Sequence, residues 1–184
     1  MSKTLVFLAN GFEEIETVTI IDLLRRAQIE VITASIHNHI SVKGAHNISI
    51  EADVLLENIN ESDSYDLMVL PGGLPGADYL NESLDVEKLI LNQHSQKKFI
   101  GAICAAPKVL CSKGIVENIN ITHYPDCIEN LNGAIYINEN VVHDGNIITS
   151  KGPSTAIEFS LKLIALLNSE LSADEIANQI LIKN

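Results

Sequence analysis

One thiol in this 184-residue chain is set among residues that suit it to covalent chemistry. Cys104 lies in the run Phe99-Ile100-Gly101-Ala102-Ile103-Cys104-Ala105-Ala106-Pro107, which passes from apolar to small residues to proline. That order predicts a buried strand, a tight turn and a new helix, with the cysteine on the turn. A sulfur held there is pushed into the open at the positive end of a helix, which favours thiolate over thiol. The context is that of a nucleophile elbow, although the full G-x-S-x-G form is not present. Lowering a thiol pKa from about 8.5 to about 5.5 takes about 4 kcal/mol of thiolate stabilisation. A helix end supplies about 1 kcal/mol of that, so a specific hydrogen-bond donor has to supply the rest. The plainer alternative is an inert, space-filling thiol, since cysteine is often buried.

Glu16 is the candidate donor. It stands one helical turn after a first strand, with Glu13 and Glu14 as the more natural solvent-facing partners of the helix dipole. Either Glu16 is simply the third such partner, or it is a buried, protonated carboxyl donating to the Cys104 sulfur, its pKa raised by burial and a neighbouring anion. Gly72 and Gly73 follow Pro71 at another strand end. They form either an ordinary turn or, through the Gly73 amide together with that of Ala105, an oxyanion hole. His123 follows Ile121-Thr122 at a further strand end. His37-x-His39 has no cysteine or carboxylate at matching spacing, so no metal is expected. Cys111 lies seven residues past Cys104, which on a helix puts the two on similar sides about 10 Å apart along the axis. A disulfide between them is disfavoured, and Cys127 receives no role.

The elements that must position these groups follow from periodicity. Thr4 to Ala9 is a continuous apolar run, as in a strand covered on both faces. Ile15, Val18, Ile21 and Leu24, widened by Ile20 and Leu23, predict a helix with acids in its first turn and Arg25-Arg26 in its last. Val31 to Ala34 is a second strand, so the chain opens strand, helix, strand, the unit of parallel sheets. The polar stretch His37 to Asp53 reads as a small antiparallel piece. Further strands are expected at 67–70, 99–102 and 119–122. Tyr136-Ile137 and Val141-Val142 flank a turn at Asn138-Glu139-Asn140, and Asp144-Gly145 makes a second turn before Ile147-Ile148-Thr149. Helices are expected at 86–96 and 106–113, the latter stopped by Gly114. Gly152-Pro153-Ser154 opens a helix over 155–168. A last helix runs from Ser172, as cap with Glu175 completing a capping box, to Ile182. No repeat or linker interrupts the pattern, so residues 1–184 are expected to form one α/β domain. Three strand ends carry the suspect residues, and in such sheets ligands bind at the carboxyl ends of strands.

Composition narrows the partners. Lysine and arginine total 12 against 24 acids, a formal net charge of -12, with no basic stripe. Nucleic acid and anionic membrane are therefore not expected. The first apolar run is too short for a signal peptide, and no run approaches the roughly 20 residues of a membrane span. With 3 cysteines at no zinc or CxxC spacing, a reducing cytoplasm is the expected setting.

Four motifs in order, Ala9-Asn10-Gly11-Phe12-Glu13-Glu14-Ile15-Glu16-Thr17-Val18, Val69-Leu70-Pro71-Gly72-Gly73, Ala102-Ile103-Cys104-Ala105-Ala106-Pro107 and Thr149-Ser150-Lys151-Gly152-Pro153, resemble the DJ-1/PfpI (ThiJ/PfpI) superfamily in its DJ-1-like branch. The resemblance runs almost end to end. It implies a flavodoxin-like three-layer α/β/α sandwich with a mainly parallel sheet, of the class I glutamine amidotransferase-like kind, and a homodimer. It implies an oxidisable cysteine beside a protonated glutamate, here Cys104 and Glu16, with Gly72, Gly73 and Ala105 around the oxygen. It also implies cofactor-free activity on 2-oxoaldehydes, either conversion of methylglyoxal to lactate or protein deglycation, in carbonyl and oxidative stress. The alternative from the same resemblance is a redox sensor or chaperone worked by oxidation of Cys104. Ala105 stands where the protease branch has histidine, and no late H-x-E appears, so peptidase and amidotransferase chemistry are not expected. His123 matches a histidine of the branch and Arg26 an arginine near its site. His46 occupies the place of a second arginine, and Pro153 closes the fourth motif beside the site.

Overall fold

The computed structural model describes residues 2–60 and 63–182, so Met1 and residues 61–62 and 183–184 of the expected 1–184 span lie outside it. The chain opens with β1 (Lys3–Leu8), α1 (Glu14–Arg26) and β2 (Glu30–Ser35). A small antiparallel pair, β3 (Ser41–Lys43) and β4 (Ser49–Glu51), precedes β5 (Val54–Leu55). Then come β6 (Leu67–Leu70), α2 (Gly76–Glu82), α3 (Leu84–Ser95), β7 (Phe99–Ile103) and α4 (Pro107–Ser112). The last third holds β8 (Asn120–Ile121), β9 (Ile135–Tyr136), β10 (Val141–Asp144), β11 (Ile147–Ser150), α5 (Ala156–Leu167) and α6 (Glu170–Gln179).

Among the described residues the main sheet has seven strands in the order β10-β11-β7-β6-β1-β2-β5. Every neighbouring pair is parallel except the hairpin β10–β11. Its five central strands, β2-β1-β6-β7-β11, repeat the doubly wound order in which the chain reverses direction beside the first strand. The period of two along β1 explains the layers. Val6 and Leu8 face a cluster with Ile20 and Leu24 of α1 and Phe159 and Leu163 of α5. Leu5 and Phe7 face the opposite cluster, with Val86 and Ile90 of α3 and Leu110 of α4. Both faces of the sheet are therefore covered, and the continuous apolar runs are what that burial requires.

The structure corrects several expectations. Ile15 and Val18, the first members of the expected apolar stripe, are 59% and 49% exposed, and the stripe is buried only from Ile20 onward. Glu13 and Glu14, expected to face solvent, are buried. The cause is a docking from outside the helix. The β3–β4 turn lays the backbone N–H groups of His46 and Ile48 on Glu14 Oε1 at 2.6 and 3.4 Å, while Glu13 turns back to accept the Glu16 N–H at 2.7 Å as the α1 N-cap. The final helix begins at Glu170, capped by Ser169, whose hydroxyl accepts the Ser172 N–H at 3.2 Å. Ser172 therefore lies inside the helix and caps nothing. Tyr136 does not form a hairpin with Val141; β9 pairs with β8 in parallel instead. Helix α2 was absent from the periodicity because only Gly76, Ala77 and Leu80 of its seven residues are buried. No helix among the described residues is long and apolar enough to cross a membrane.

Candidate active site

The carboxyl ends of β1, β6 and β7, neighbours in the sheet, converge on one spot. Cys104 follows the last residue of β7 with φ +63°, a left-handed conformation that costs a non-glycine residue about 1–2 kcal/mol. Two hydrogen bonds hold it there. Its N–H donates to the Ser150 carbonyl on the neighbouring strand at 2.9 Å, and its own carbonyl accepts the Tyr124 N–H at 2.9 Å. The backbone thus bends sharply while the sulfur stays beneath a narrow opening, the residue being 8% exposed.

Glu16 is completely buried. Gly72 N–H donates to its Oε2 at 2.9 Å. Its Oε1 is buried with no partner of hydrogen-bond geometry, and the side chain with which the carboxyl interacts is Cys104. Gly72 makes this approach possible. A Cβ there would lie 2.5 Å from Cys104 Cβ and 2.6 Å from Glu16 Oε2. Gly73 has φ +91°, a value that favours glycine, and its amide, like that of Ala105, lowers the Cys104 thiol pKa against the burial that raises it.

Electrostatics couples the two acids. Burial, and then the Glu13 charge, push Glu16 up to about 7, against the neighbouring Cys104 thiol and the Gly72 N–H, which favour its charged form. Burial and an ionised Glu16 push the Cys104 thiol up as well, against the Gly73 and Ala105 amides. The lowered thiol pKa expected from the helix end therefore does not follow from the surroundings while Glu16 is charged. Two anions in contact in a buried site cannot both form at neutral pH, so the pair loses one proton readily and the second only with difficulty. The charge can rest on sulfur when Glu16 keeps its proton.

His123 is nearly buried, its ring centroid 4.9 Å from that of Tyr136. Its Nδ1 lies 2.7 Å from the Tyr124 carbonyl. A carbonyl only accepts, so Nδ1 carries the proton and Nε2 is the free acceptor. Gly152 of the fourth motif and Tyr124, which the sequence did not single out, complete the wall. Gly152, just before Pro153, approaches so closely that a Cβ there would lie 3.1 Å from the Tyr124 ring and 3.8 Å from Cys104 Sγ. The signal that could have found Tyr124 is its place beside His123 at a strand end.

Arg26 and His46 are placed elsewhere in this chain. Arg26 pairs with Asp22 at 2.7 Å in the last turn of α1, ten residues and so about 15 Å along the helix from Glu16. His46 Nδ1 lies 2.9 Å from Glu14 Oε2, its side chain 72% exposed. That contact raises the His46 pKa. Glu14 is pushed up by burial, but its bonds from the His46 side chain and the turn's N–H groups outweigh this and lower it overall. Glu13, Glu14 and His46 bring ligand atoms within 4.8 Å of one another. Both Glu14 oxygens already accept N–H groups of the turn, which makes this cluster the fastening of the β3–β4 turn. His37 Nε2 accepts the Asn10 N–H at 2.9 Å, so its lone pair there is spent. Cys111 belongs to the opposite hydrophobic cluster from Cys104, because α4 begins only at Pro107 and the elbow separates the two. Burial pushes its thiol up to about 11.

Residues 2–166 match the model of the DJ-1/PfpI family. Protein dj-1beta of Drosophila melanogaster is 41% identical over 185 residues, covering 99% of this chain and 98% of its own. The crystal structure of Drosophila melanogaster DJ-1beta superposes with a TM-score of 0.94 at 39% identity, covering 100% of both chains. A Caenorhabditis elegans relative named "Glutathione-independent glyoxalase DJR-1.2" is 37% identical, over 84% of this chain and 82% of its own.

Proposed function

This chain belongs to the DJ-1/PfpI family, with that family's flavodoxin-like α/β sandwich, and from this premise we propose that it is a cofactor-independent cysteine enzyme acting on small 2-oxoaldehydes. The observation that carries the reading is the fully buried Glu16 carboxyl, pushed up to about 7, against the Cys104 elbow. A group of that pKa can take and return a proton at neutral pH. The relative named as a glutathione-independent glyoxalase supports the same class.

With methylglyoxal the steps follow from the groups present. The Cys104 sulfur attacks the aldehyde carbon, and the oxygen, held by the Gly73 and Ala105 amides, takes a proton to give a hemithioacetal. Glu16, ionised because its proton went to that oxygen, removes the hydrogen on that carbon as a proton, leaving an enediolate whose two oxygens share the remaining hydroxyl proton. It returns the proton to the neighbouring carbon, which gives the thioester of lactate. Water cleaves the thioester, releasing lactate and the thiol. His123 Nε2, the free acceptor of that ring, assists proton movement, and a glycated side chain with the same carbonyl pattern is the substrate of a deglycase variant. The test is lactate formation by wild type, Cys104→Ser and Glu16→Gln. Loss of at least about a hundredfold is expected in both variants, and equal rates in all three overturn the mechanism.

A redox-sensing role for Cys104, with or without chaperone activity, is favoured by one observation. The Gly73 and Ala105 amides that lower the Cys104 thiol pKa also suit the oxygens of an oxidised sulfur. The partner we propose is a second copy of this chain, seated on the exposed apolar residues Ile15 and Val18 of α1.

A further inference from the structure

Cys127 lies on the loop that closes over Cys104. The Tyr124 N–H donates to the Cys104 carbonyl at 2.9 Å, and the Cys127 N–H returns to the Tyr124 carbonyl at 3.4 Å. One turn of chain therefore separates Cys127 from a residue bonded to the Cys104 backbone. The Cys127 side chain is half-buried and packs against the cluster that contains Cys104, Ala105, Ala77 and Phe12. Burial pushes the Cys127 thiol up, and Lys108 of α4, ion-paired with Asp78, opposes this. Both thiols are free. Between β8 and β9 the loop carries no regular structure around Cys127, so no helix or strand hydrogen bonds have to break for it to approach Cys104.

We propose that Cys127 is a resolving thiol that captures oxidised Cys104 as an intramolecular disulfide. The proposal rests on the oxidation half of the functional reading above and adds what becomes of the oxidised sulfur. The oxidant is a hydroperoxide. The Cys104 thiolate attacks one peroxide oxygen, the O–O bond breaks, and the leaving oxygen takes the Glu16 proton and departs as water or an alcohol. Cys104 is then a sulfenic acid. The Cys127 sulfur attacks the Cys104 sulfur, the S–O bond breaks, and the hydroxide leaves as water with the Cys127 proton. Two thiols have lost two electrons, and the peroxide has received both. Cys111, in the opposite cluster behind α4, takes no part.

The consequence is protection. A sulfenic acid left alone proceeds to sulfinate, which ordinary thiols do not reverse, whereas a disulfide is reduced by exchange. The experiment treats wild type, Cys127→Ser and Cys111→Ser with one equivalent and then excess hydrogen peroxide. Free thiols are blocked, and intact mass and non-reduced peptide maps are read. Wild type and Cys111→Ser are expected to lose the mass of two hydrogens and to yield a peptide joining Cys104 to Cys127, both reversed by dithiothreitol. Cys127→Ser is expected to gain one and then two oxygens at Cys104. A sulfinate forming at Cys104 at the same rate in wild type and Cys127→Ser overturns the resolving role while leaving the sensor reading intact. A Cys104 that peroxide does not change overturns both. Circular dichroism before treatment shows that each variant is folded, and Cys127→Ala repeats the comparison with a second side chain.

Discussion

Gly72 donates its N–H to Glu16 Oε2 at 2.9 Å, and because an amide N–H has nothing to accept with, the proton of the neutral carboxyl must sit on Oε1. That oxygen is buried without another partner. The glycine therefore fixes which oxygen of the carboxyl is the acid.

The first prediction follows from that proton. Glu16 has a folded pKa of about 7 against an ordinary value of 4.5. Between those limits the folded chain holds a proton that the unfolded chain has lost, so stability falls as pH rises through the window and levels off above it. The gap corresponds to about 3 kcal/mol. Denaturant unfolding from pH 4.5 to 8 should show this decline in wild type, and Glu16→Gln should flatten it. A Glu16→Gln profile as steep as that of wild type would mean that another group carries the pH dependence.

Gly72→Ala should damage both fold and chemistry. The added methyl would lie 2.5 Å from Cys104 Cβ and 2.9 Å from the Ile103 carbonyl, neither of which is the loose end of a flexible chain. Overpacking of this kind costs about 1–3 kcal/mol. Chemical denaturation should show that loss, and lactate formation should fall with kcat more affected than KM. Unchanged values of both would show that the elbow is not close-packed against this glycine.

Thr155 ties down the turn that carries Gly152 and Pro153. Its hydroxyl lies 2.6 Å from Ser150 Oγ, donates to the Gly152 carbonyl at 2.9 Å and accepts the Gly152 N–H at 3.1 Å. Thr155→Val leaves the Gly152 N–H without its acceptor in a buried site and should cost about 2 kcal/mol, whereas Thr155→Ser should restore most of it. Unfolding midpoints of the three proteins check this, and equal midpoints for valine and serine would refute the hydroxyl's role.

Ile15 and Val18 give the fourth prediction. The wild type should sediment as two chains, and the double variant Ile15→Asp, Val18→Asp as one, because charge on a covered apolar patch is costly. Wild type running as a single chain at micromolar concentration would remove this helix face as an interface.

Much of the architecture was legible because burial on both sides of a sheet leaves long apolar runs, as in Leu67 to Leu70, which became β6 as expected. Gly114, expected to stop α4, takes φ +68° just past it. What could not be read depends on residues far away in the chain. The burial of Glu13 and Glu14 comes from the turn near His46, about thirty residues on, which no helical periodicity reports. Tyr124 and Gly152 reach the site through loops, where spacing has no fixed meaning in space. Cys104 and Glu16 could be singled out because each follows the carboxyl end of a strand, β7 and β1, on the same side of the sheet. That the two acids compete for one proton depends on their contact, and contact is a property of the folded chain.

The elbow also has a bearing on how the molecule comes together. Cys104 is bounded by Glu16 from near the start of the chain, by Gly72 from its middle, and by Tyr124 and Gly152 from beyond it. These partners are distant in sequence, and non-local contacts of this kind are gained late in assembly. During synthesis or refolding, Cys104 is therefore an ordinary cysteine until the β1, β6, β7 and β11 ends have met. Its change to a shielded thiol coupled to a carboxyl marks the completion of the tertiary structure, and the rate at which a small alkylating agent loses or changes its access to this one sulfur is a built-in clock for folding.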